Sequence, residues 1–376
     1  MSMDKSLRVF AEAKLAELKR ADRLRTLVPT SRGQQGRAER QNEQLISFCD
    51  NDYLGLATDP RLVAAAQAAA QTWGVGAGAS RLVTGDTPLN RRIEDQLAKM
   101  KGQEDARLFG SGYLANVGVI PVLVGRGDRI IMDAAAHACM HAGARLSGAA
   151  IDLFRHNDLD DLRRLMSQEI GARRTLVLTE TVFSMDGDRA PLSQIGALCE
   201  AFGAWLMTDD AHGFGVVHQD NPAHVQMGTF SKAVGSYGGY VCGPTALMEL
   251  LTNRARSLIY TTGLPPTVLG ATLEALNIIQ AEPKRGERVM DRARLFCRLT
   301  DLPEPESAIV PILLGPEKEA LRASEQLRQS GYLVTAIRPP TVPVNTARLR
   351  VTFSATHEEA DIRALAAAIL DLKVLA

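Results

Sequence analysis

The chain has 376 residues, and its 43 lysines and arginines balance its 43 aspartates and glutamates, so the formal net charge is zero. Hydrophobic residues make up 45% and charged residues 23%, a globular composition that excludes a disordered or fibrous chain. The balanced charge argues against nucleic acid as a partner, because phosphate binding needs a clustered cationic excess.

The five cysteines are odd in number and widely spaced, which argues against a disulfide framework or a zinc ribbon and favours a reduced compartment. The N-terminus lacks the apolar core of a signal peptide. The longest apolar run, at residues 117–124, is far shorter than the roughly 20 residues of a membrane span. The sequence therefore predicts a cytoplasmic protein without a membrane partner.

The N-terminal segment predicts an arm outside the main body of the fold. Apolar residues recur at helical spacing in residues 4–25, which predicts an amphipathic helix. Residues 29–44 are polar and rich in glycine and glutamine, and a turn or loop is predicted at 31–36. We expect residues 1–45 to pack on a larger body or on a partner subunit, although an ordinary surface helix has the same pattern.

The middle of the chain alternates between short apolar runs and helix-like stretches. This alternation predicts βα units around a mostly parallel sheet, in a large domain of residues 46–282. Ligands of such sheets bind beyond the carboxyl ends of the strands, so the residues after each run are candidates for a site. The predicted strands are 107–109, 129–132, 151–154, 175–178, 204–207 and 239–242.

The last part of the chain, residues 283–376, predicts a small α+β domain. A helix at 268–281 is followed by a charged segment, 282–305, that ends in two prolines. The elements predicted beyond it are strand 308–313, helix 317–329, strand 332–336, loop 339–347, strand 348–353 and helix 358–372.

Two segments carry residues suited to binding a carbonyl compound. A predicted strand ends in Asp209, with His212 three residues later. This carboxylate can hold a cationic ligand group, although a capping Asp and a solvated His fit the pattern as well. Lys232 stands among small residues, hydroxyls and glycines. Desolvation lowers the pKa of such a lysine and makes its amine a nucleophile, whereas an isolated lysine is usually a surface residue.

Polar residues also follow other predicted strands. Residues 111–113 begin a helix, where backbone N–H groups can bind an anion, or where the serine merely caps the helix. His137 and Ser184 follow two further strands. His137 and His141 have the spacing of metal ligands but lack a third ligand, so no metal site is predicted. The glycines of 74–81 do not form a dinucleotide-binding fingerprint, because no strand precedes them.

In their order along the chain, these motifs resemble the α-oxoamine synthases, a family of pyridoxal-phosphate enzymes. The resemblance covers residues 20 to 370 and implies an α/β fold of the aspartate-aminotransferase-like type, fold type I. This fold has a mostly parallel sheet and a small α+β C-terminal domain, and the family forms homodimers with shared active sites. The motifs are 51–56 (NDYLGL), 74–85, 111–113 (SGY), 179–188 (TETVFSMDGD), 209–213 (DDAHG) and 229–232 (TFSK).

The resemblance implies roles for individual residues. Lys232 would bind the cofactor aldehyde and act as general base, and Asp209 would pair with the protonated pyridine nitrogen. The expected catalytic residues are Lys232, His137, Asp209 and His212. The expected cofactor-binding residues are Ser111, Gly112, Tyr113, His137, Glu180, Ser184, Asp209, His212, Thr229, Lys232, Thr261 and Thr262, the last two from the other subunit. The expected substrate-binding residues are Arg25, Asn51, His137, Arg338 and Thr341.

The stretch 334–350 most resembles the family members that condense L-alanine with pimeloyl-CoA or pimeloyl-acyl-carrier protein, with loss of CO2, in biotin synthesis. Sister enzymes that use glycine or serine share most motifs and stay open as the alternative. They are of the 5-aminolevulinate synthase, 2-amino-3-ketobutyrate CoA ligase and serine palmitoyltransferase types. A catalytically silent homologue is disfavoured, because Lys232, Asp209 and His212 are all present.

Two features depart from the family pattern. Ser231 and Ala233 flank the lysine where many members have glycine. The connection 213–228 is short, and its last part, 224–227, is a poor strand sequence before Thr229.

Overall fold

The structure, a computed structural model, describes residues 3–168 and 171–373. The helices are α1 (Met3–Arg20), α2 (Pro60–Trp73), α3 (Pro88–Lys101), α4 (Gly112–Leu123), α5 (Ala138–Ser147), α6 (Leu159–Met166), α7 (Leu192–Ala201), α8 (Thr245–Arg254), α9 (Arg256–Ile259), α10 (Pro266–Ala281), α11 (Lys284–Thr300), α12 (Glu317–Gln329) and α13 (Glu359–Asp371). The strands are β1 (Thr30–Arg32), β2 (Arg37–Arg40), β3 (Glu43–Ser47), β4 (Asp105–Phe109), β5 (Arg129–Asp133), β6 (Ala150–Phe154), β7 (Thr175–Glu180), β8 (Trp205–Asp209), β9 (Val225–Thr229), β10 (Gly239–Gly243), β11 (Ile309–Gly315), β12 (Tyr332–Leu333), β13 (Thr335–Ile337) and β14 (Ala347–Thr352). Among the described residues, no helix is long and apolar enough to cross a membrane.

The chain divides into two compact units. The first comprises the residues up to Asp50, Arg292–Glu304 and the chain from Ile309 onward. The second comprises Asn51–Asp291 and Pro305–Ala308. This grouping differs from the predicted three-part division, because the first 50 residues and the C-terminal part belong to one unit.

The second unit is built on a seven-stranded sheet with the order β4-β10-β9-β8-β7-β5-β6. Strands β9, β8, β7, β5 and β6 pair in parallel, and β10 is antiparallel to both of its neighbours. Helices separate most of the parallel strands along the chain, as parallel pairing requires. The prediction of a mostly parallel α/β sheet is confirmed.

Alternation along the strands divides the core of this unit between the two faces of the sheet. In β7, Leu176 and Leu178 join one hydrophobic cluster and Val177 joins the other. In β5, Ile130 and Ile131 divide in the same way. Since both faces are covered, the strands read as continuous apolar runs and their polar residues stand at their ends.

The first unit contains two smaller sheets. One has the order β1-β2-β3-β12, with β12 parallel to β3, and the other is the antiparallel sheet β11-β14-β13. No strand was predicted in the polar segment 29–44, which forms β1, β2 and the first two residues of β3. The turn or loop predicted at 31–36 agrees in part, because residues 33–36 connect β1 to β2. The charged segment at 282–305, for which no element was predicted, contains α11. The strand predicted at 332–336 is two strands, β12 and β13, in different sheets.

Candidate active site

The carboxyl ends of adjacent parallel strands bring the predicted site residues of the second unit to one edge of the sheet. Glu180 ends β7, Asp209 ends β8 and Thr229 ends β9. Glu180 and Asp209 are direct neighbours in the strand register. Gly239 begins the antiparallel strand β10 opposite Thr229, so it lies at the same edge.

A cavity of about 190 Å³ opens at this edge. Nine of the predicted residues line it, and four lining residues were not predicted. The predicted ones are Ser111, Gly112, Tyr113, His137, Glu180, Asp209, His212, Thr229 and Lys232. The others are Cys139, Ala211, Met227 and Ser231.

Asp209 is a buried carboxylate held in a fixed orientation. Only 3% of the surface of this residue is exposed to solvent. Its Oδ2 accepts a hydrogen bond from Nδ2 of Asn116 at 2.9 Å, and its Oδ1 accepts from the backbone N–H of Ala211 at 3.0 Å. Burial raises the pKa of Asp209, while the Lys232 ammonium and the Asn116 amide oppose that rise. A cationic ring nitrogen in the cavity would supply the further stabilisation that this carboxylate needs.

Glu180 is a second buried carboxyl beside Asp209. Burial and the Asp209 charge raise its pKa well above the ordinary range, which favours a protonated side chain. Its Oε1 is buried and has no hydrogen-bond partner among the described residues. A buried polar atom without a partner at the wall of a cavity indicates a contact with a ligand.

His137 stands at the start of α5, where its ring caps the helix. Its Nδ1 accepts from the backbone N–H of Cys139 at 3.3 Å and lies 2.8 Å from Sγ of the same residue. Desolvation lowers the pKa of His137, the Asp209 charge opposes this, and the Lys232 ammonium adds to it. The ring is therefore neutral in the cavity near pH 7.

His212 is fixed by a hydroxyl from the segment before α2. Its Nδ1 lies 2.6 Å from the hydroxyl of Tyr53, which donates to Oδ1 of Asn51 at 3.1 Å. Since the Tyr53 hydroxyl has one hydrogen and donates it to Asn51, Nδ1 of His212 must donate to Tyr53. The predicted substrate-contact residue Asn51 is thereby tied to a residue of the cavity.

The start of α4 lines one part of the cavity and has the backbone donors that an anionic ligand needs. Ser111 caps this helix, because its hydroxyl oxygen accepts from the N–H of Leu114 at 3.1 Å. The N–H groups of Gly112 and Tyr113 precede that bond, and such first-turn donors are available to a phosphate. The hydroxyl of Thr229 donates to the carbonyl of Gly238 at 2.7 Å, so it must rotate to donate to a ligand.

Lys232 follows β9 and is half-buried at the cavity wall. Its charge acts on Asp209, Glu180 and His137. The amine is therefore close enough to these three titratable groups of the cavity to affect their protonation.

Three predicted cofactor-binding residues lie outside this lining set. Ser184 is buried in the turn after β7. The hydroxyl of Thr261 donates to the carbonyl of Ser257 at 2.6 Å, and the exposed Thr262 forms an isolated bridge with Ser80. Among the described residues the cavity lining includes none of the three, so their cofactor roles stay predictions.

The remaining predicted substrate residues lie in the first unit, around a separate cavity of about 600 Å³. Arg25 donates to the hydroxyl of Thr341 at 3.2 Å, and Arg338 donates to the backbone carbonyl of Asp22. Desolvation and the neighbouring Arg25 charge lower the pKa of Arg338. Two arginines side by side suit a carboxylate ligand.

Asn116 and Cys139 belong to the site but were not predicted. Asn116 lies one helical turn after Gly112, so helical periodicity alone places it on the face of α4 that the cavity uses. The only feature of the sequence that could have indicated Cys139 is its position two residues after His137. Its contacts depend on the packing of α4 against α5, which the sequence does not show directly.

The donor set fits pyridoxal phosphate, the cofactor that the resemblance implies. The cavity offers Lys232 for an aldehyde, Asp209 for a ring nitrogen and the α4 start for a phosphate. The unpartnered oxygen of Glu180 supplies a further polar contact.

Three comparisons with known proteins agree with this chemistry. The family model for aminotransferase class I and II matches residues 43–369. An 8-amino-7-oxononanoate synthase of Methylobacterium nodulans is 55% identical over 99% of this chain and 98% of its own length. Another, of Methylobacterium sp. strain 4-46, is 56% identical over 98% of this chain and 97% of its own length.

Solved structures show the same architecture. A serine palmitoyltransferase from S. paucimobilis with bound PLP and myriocin has a TM-score of 0.91, with 27% identity over 96% of both chains. An 8-amino-7-oxononanoate synthase from Francisella tularensis has a TM-score of 0.74, with 26% identity over 88% of this chain and 98% of that one. The type I pyridoxal-phosphate fold is thus confirmed.

Proposed function

This chain belongs to the aminotransferase class I and II family, and on that premise we propose that it condenses L-alanine with a pimeloyl thioester. The products are 8-amino-7-oxononanoate, CO2 and the free thiol, and the acyl carrier is CoA or acyl-carrier protein. The enzyme is a pyridoxal-phosphate-dependent acyltransferase of the 8-amino-7-oxononanoate synthase type, in the biotin pathway.

The observation that carries the proposal is the convergence of Lys232, Asp209 and the start of α4 on one cavity. Relatives with this activity in their names match the whole chain at 53–56% identity. Solved structures of serine palmitoyltransferase and of 8-amino-7-oxononanoate synthase match at similar identities, 27–28% and 26%, so the preference over the sister activities rests on the 53–56% relatives.

When bound, pyridoxal phosphate supplies an electron sink for negative charge at the α-carbon of the amino acid. Asp209 would hold the proton on the pyridine nitrogen, because a buried anion stabilises that cation. Lys232 would hold the cofactor and then move the α-proton of the amino acid, since its amine is the basic group of the cavity wall. Arg338 would orient the substrate carboxylate by bidentate hydrogen bonds.

The proposal includes a homodimer in which Thr261 and Thr262 contribute to the partner's site. Thr262 is exposed, together with the neighbouring Tyr260, which leaves this segment available to a second copy. The five cysteines are free, in keeping with the reduced cytoplasm proposed as the location.

The visible spectrum of the purified protein tests the cofactor and its lysine. We expect a yellow protein whose visible absorption disappears on borohydride reduction and is absent in Lys232→Ala. A colourless wild-type protein that cannot be reconstituted with pyridoxal phosphate would contradict the proposal. Lys318→Ala removes an exposed lysine of α12, outside the cavity lining, and serves as the control.

Substrate identity is tested by turnover. L-Alanine, glycine and L-serine are each paired with pimeloyl-CoA, pimeloyl-acyl-carrier protein, succinyl-CoA, acetyl-CoA and palmitoyl-CoA, and CO2 or thiol release is measured. The proposal expects turnover with alanine and a pimeloyl thioester. Turnover with glycine or serine and no response to alanine would assign the chain to a sister activity.

A further inference from the structure

We propose that Cys139 is a positioning residue for His137, whose ring it holds in the neutral form with the proton on Nε2. The thiol would donate to Nδ1 of His137 and accept from Asn116, which also binds Asp209. The inference rests on the proposed function only for the consequence of this arrangement for the substrate. The hydrogen-bond arrangement itself is a property of the protein alone.

The contacts form a continuous chain across the base of the cavity. Nδ2 of Asn116 lies 2.9 Å from Oδ2 of Asp209 and 3.0 Å from Sγ of Cys139. Sγ of Cys139 lies 2.8 Å from Nδ1 of His137. Asn116, Asp209 and Cys139 come from three elements, α4, β8 and α5, and through them the chain links Asp209 to the ring of His137.

The direction of each hydrogen bond follows from the donors available. Both amide hydrogens of Asn116 are used, one toward the Asp209 carboxylate and one toward Cys139. The opposite amide orientation would set its oxygen against that carboxylate, so the anion fixes the orientation. The thiol, which already accepts from Asn116, therefore has its own hydrogen free for Nδ1 of His137.

The backbone provides an independent reason for the same tautomer. The N–H of Cys139 also points at Nδ1 of His137 at 3.3 Å, and a backbone N–H can only donate. Nδ1 therefore carries a lone pair and Nε2 carries the proton. The backbone N–H of His137 donates to the buried Glu180, which holds the other side of the same residue.

The surroundings of the thiol suit a donor. Cys139 is 2% exposed, and burial raises the pKa of its thiol to about 12, so it stays protonated at physiological pH. The charged groups that act on His137 are Asp209 and Lys232. His141, one helical turn along α5, is near enough for its own pKa to be lowered by His137.

The functional consequence concerns the exposed side of the ring. With its proton on Nε2, a neutral His137 can donate a hydrogen bond to an anionic oxygen of the substrate. A ring free to rotate or change tautomer would present that donor for only part of the time. The Cys139 thiol would thus act through His137 without touching the substrate.

The direct test is the 15N NMR spectrum of the imidazole rings in the apoenzyme, with His137 assigned from the signals that His137→Asn loses. We expect Nδ1 to be unprotonated and Nε2 protonated in the wild-type protein. In Cys139→Ala the lost donor should raise the pKa of His137 toward about 6.5, because that donor favours the neutral ring. Cys139→Ser, whose hydroxyl can donate and accept in the same way, should keep the wild-type spectrum.

Kinetics give a second readout. We expect Cys139→Ala to lower kcat about tenfold, the effect of one lost hydrogen bond, with unchanged affinity for pyridoxal phosphate. Cys139→Ser should restore kcat. Cys199→Ala is the matched control, because Cys199 is equally buried but belongs to α7 and packs in the hydrophobic core outside the cavity lining.

A protonated Nδ1 in the wild-type apoenzyme would overturn the proposal, whether or not any variant folds. Unchanged His137 signals in Cys139→Ala would do the same, as would a Cys139→Ser spectrum that matches Cys139→Ala. If the wild-type holoenzyme shows no condensation activity, the proposed function fails, but the apoenzyme spectra still decide the role of Cys139.

Discussion

At the scale of single residues, Gly239 sets how closely β10 approaches the start of α4. A Cβ at this position would lie 2.5 Å from the backbone nitrogen of Gly112 and from the carbonyl carbon of Ser111. Both contacts are backbone atoms that cannot rotate away. The N–H groups expected to bind a phosphate therefore depend on the missing side chain at Gly239.

We predict that Gly239→Ala weakens the binding of pyridoxal phosphate on the order of tenfold or more, because the start of α4 must shift. Titration of the apoenzyme with the cofactor, followed by the visible absorption, measures this. Gly125→Ala is the control, since a Cβ there meets only an ordinary contact at 3.7 Å. Equal affinities for the two variants would show that the α4 start does not bind the phosphate.

The site residues differ in how well a sequence can identify them. Asp209 and Lys232 were predicted because a strand end and a glycine-rich turn are local features. Helical periodicity places Asn116 on the cavity face of α4, but its contacts with Cys139 and Asp209 join three elements and are not visible in a local pattern. Local sequence features therefore identified most of the residues that line the cavity, but not Cys139, which also lines it, or the buried Asn116.

At the scale of elements, His156 joins the ends of three segments of the large sheet. Its Nδ1 lies 2.9 Å from Asp133 at the end of β5, and its Nε2 lies 2.8 Å from Asp188 beyond β7. Desolvation alone would lower the pKa of His156, but its bonds to both carboxylates raise it to about 10. The imidazolium thus holds the turn that carries Ser184.

We predict that His156→Gln lowers the free energy of unfolding by about 1–2 kcal/mol at pH 6, after screening at this partly exposed site. The unfolded pKa is about 6.5, so the contribution is fully present below that pH and is lost as pH rises through about 10. Urea denaturation at pH 6, 8 and 10.5 measures it, with His218→Gln, at an exposed histidine, as control. If the difference in unfolding free energy between the wild-type protein and His156→Gln does not decrease as pH rises, the ion-pair explanation is contradicted.

Prediction of elements was most accurate where a buried strand is continuously apolar. The strand before Thr229 read as poor, yet β9 is formed and all five of its residues are buried. Its neighbours β8 and β10 supply hydrogen bonds on both sides, so pairing outweighs the low strand propensity of Gln226 and Gly228. The polar hairpin of β1 and β2 was missed for the same reason, because pairing is not visible in its composition.

At the scale of the whole molecule, the predicted functions are distributed over the two units. The second unit contains the cofactor cavity, and the first contains Arg25, Arg338 and Thr341. The zero net charge does not reveal this arrangement, since the proposed roles depend on the positions of individual charged residues. The net charge therefore argued against nucleic acid as a partner, but it could not show which charged residues bind a ligand.

We predict that Arg338→Ala raises the KM for the amino acid on the order of 10–100-fold and leaves cofactor binding intact, because a charged hydrogen bond to the carboxylate is lost. The increase in KM should be smaller for Arg338→Lys, since lysine keeps the charge but not the bidentate geometry. Steady-state kinetics and cofactor titration measure the two effects. Arg322→Ala, on the exposed face of α12, is the control. Parallel loss of cofactor and amino-acid binding would indicate a structural role for Arg338.

The turn between β9 and β10 has a consequence for the timing of catalysis. Its two ends are joined, because Gly239 pairs with Thr229 and the N–H of Phe230 donates to the carbonyl of Gly238 at 3.0 Å. Within the turn, the N–H of Gly235 donates to the carbonyl of Lys232 at 2.9 Å. These hydrogen bonds hold the backbone of the turn in place. The amine of Lys232 therefore moves by rotation of the lysine side chain. Rotation of a side chain does not require the opening of a loop, so movement of the Lys232 amine between the cofactor and the substrate need not wait for such an opening.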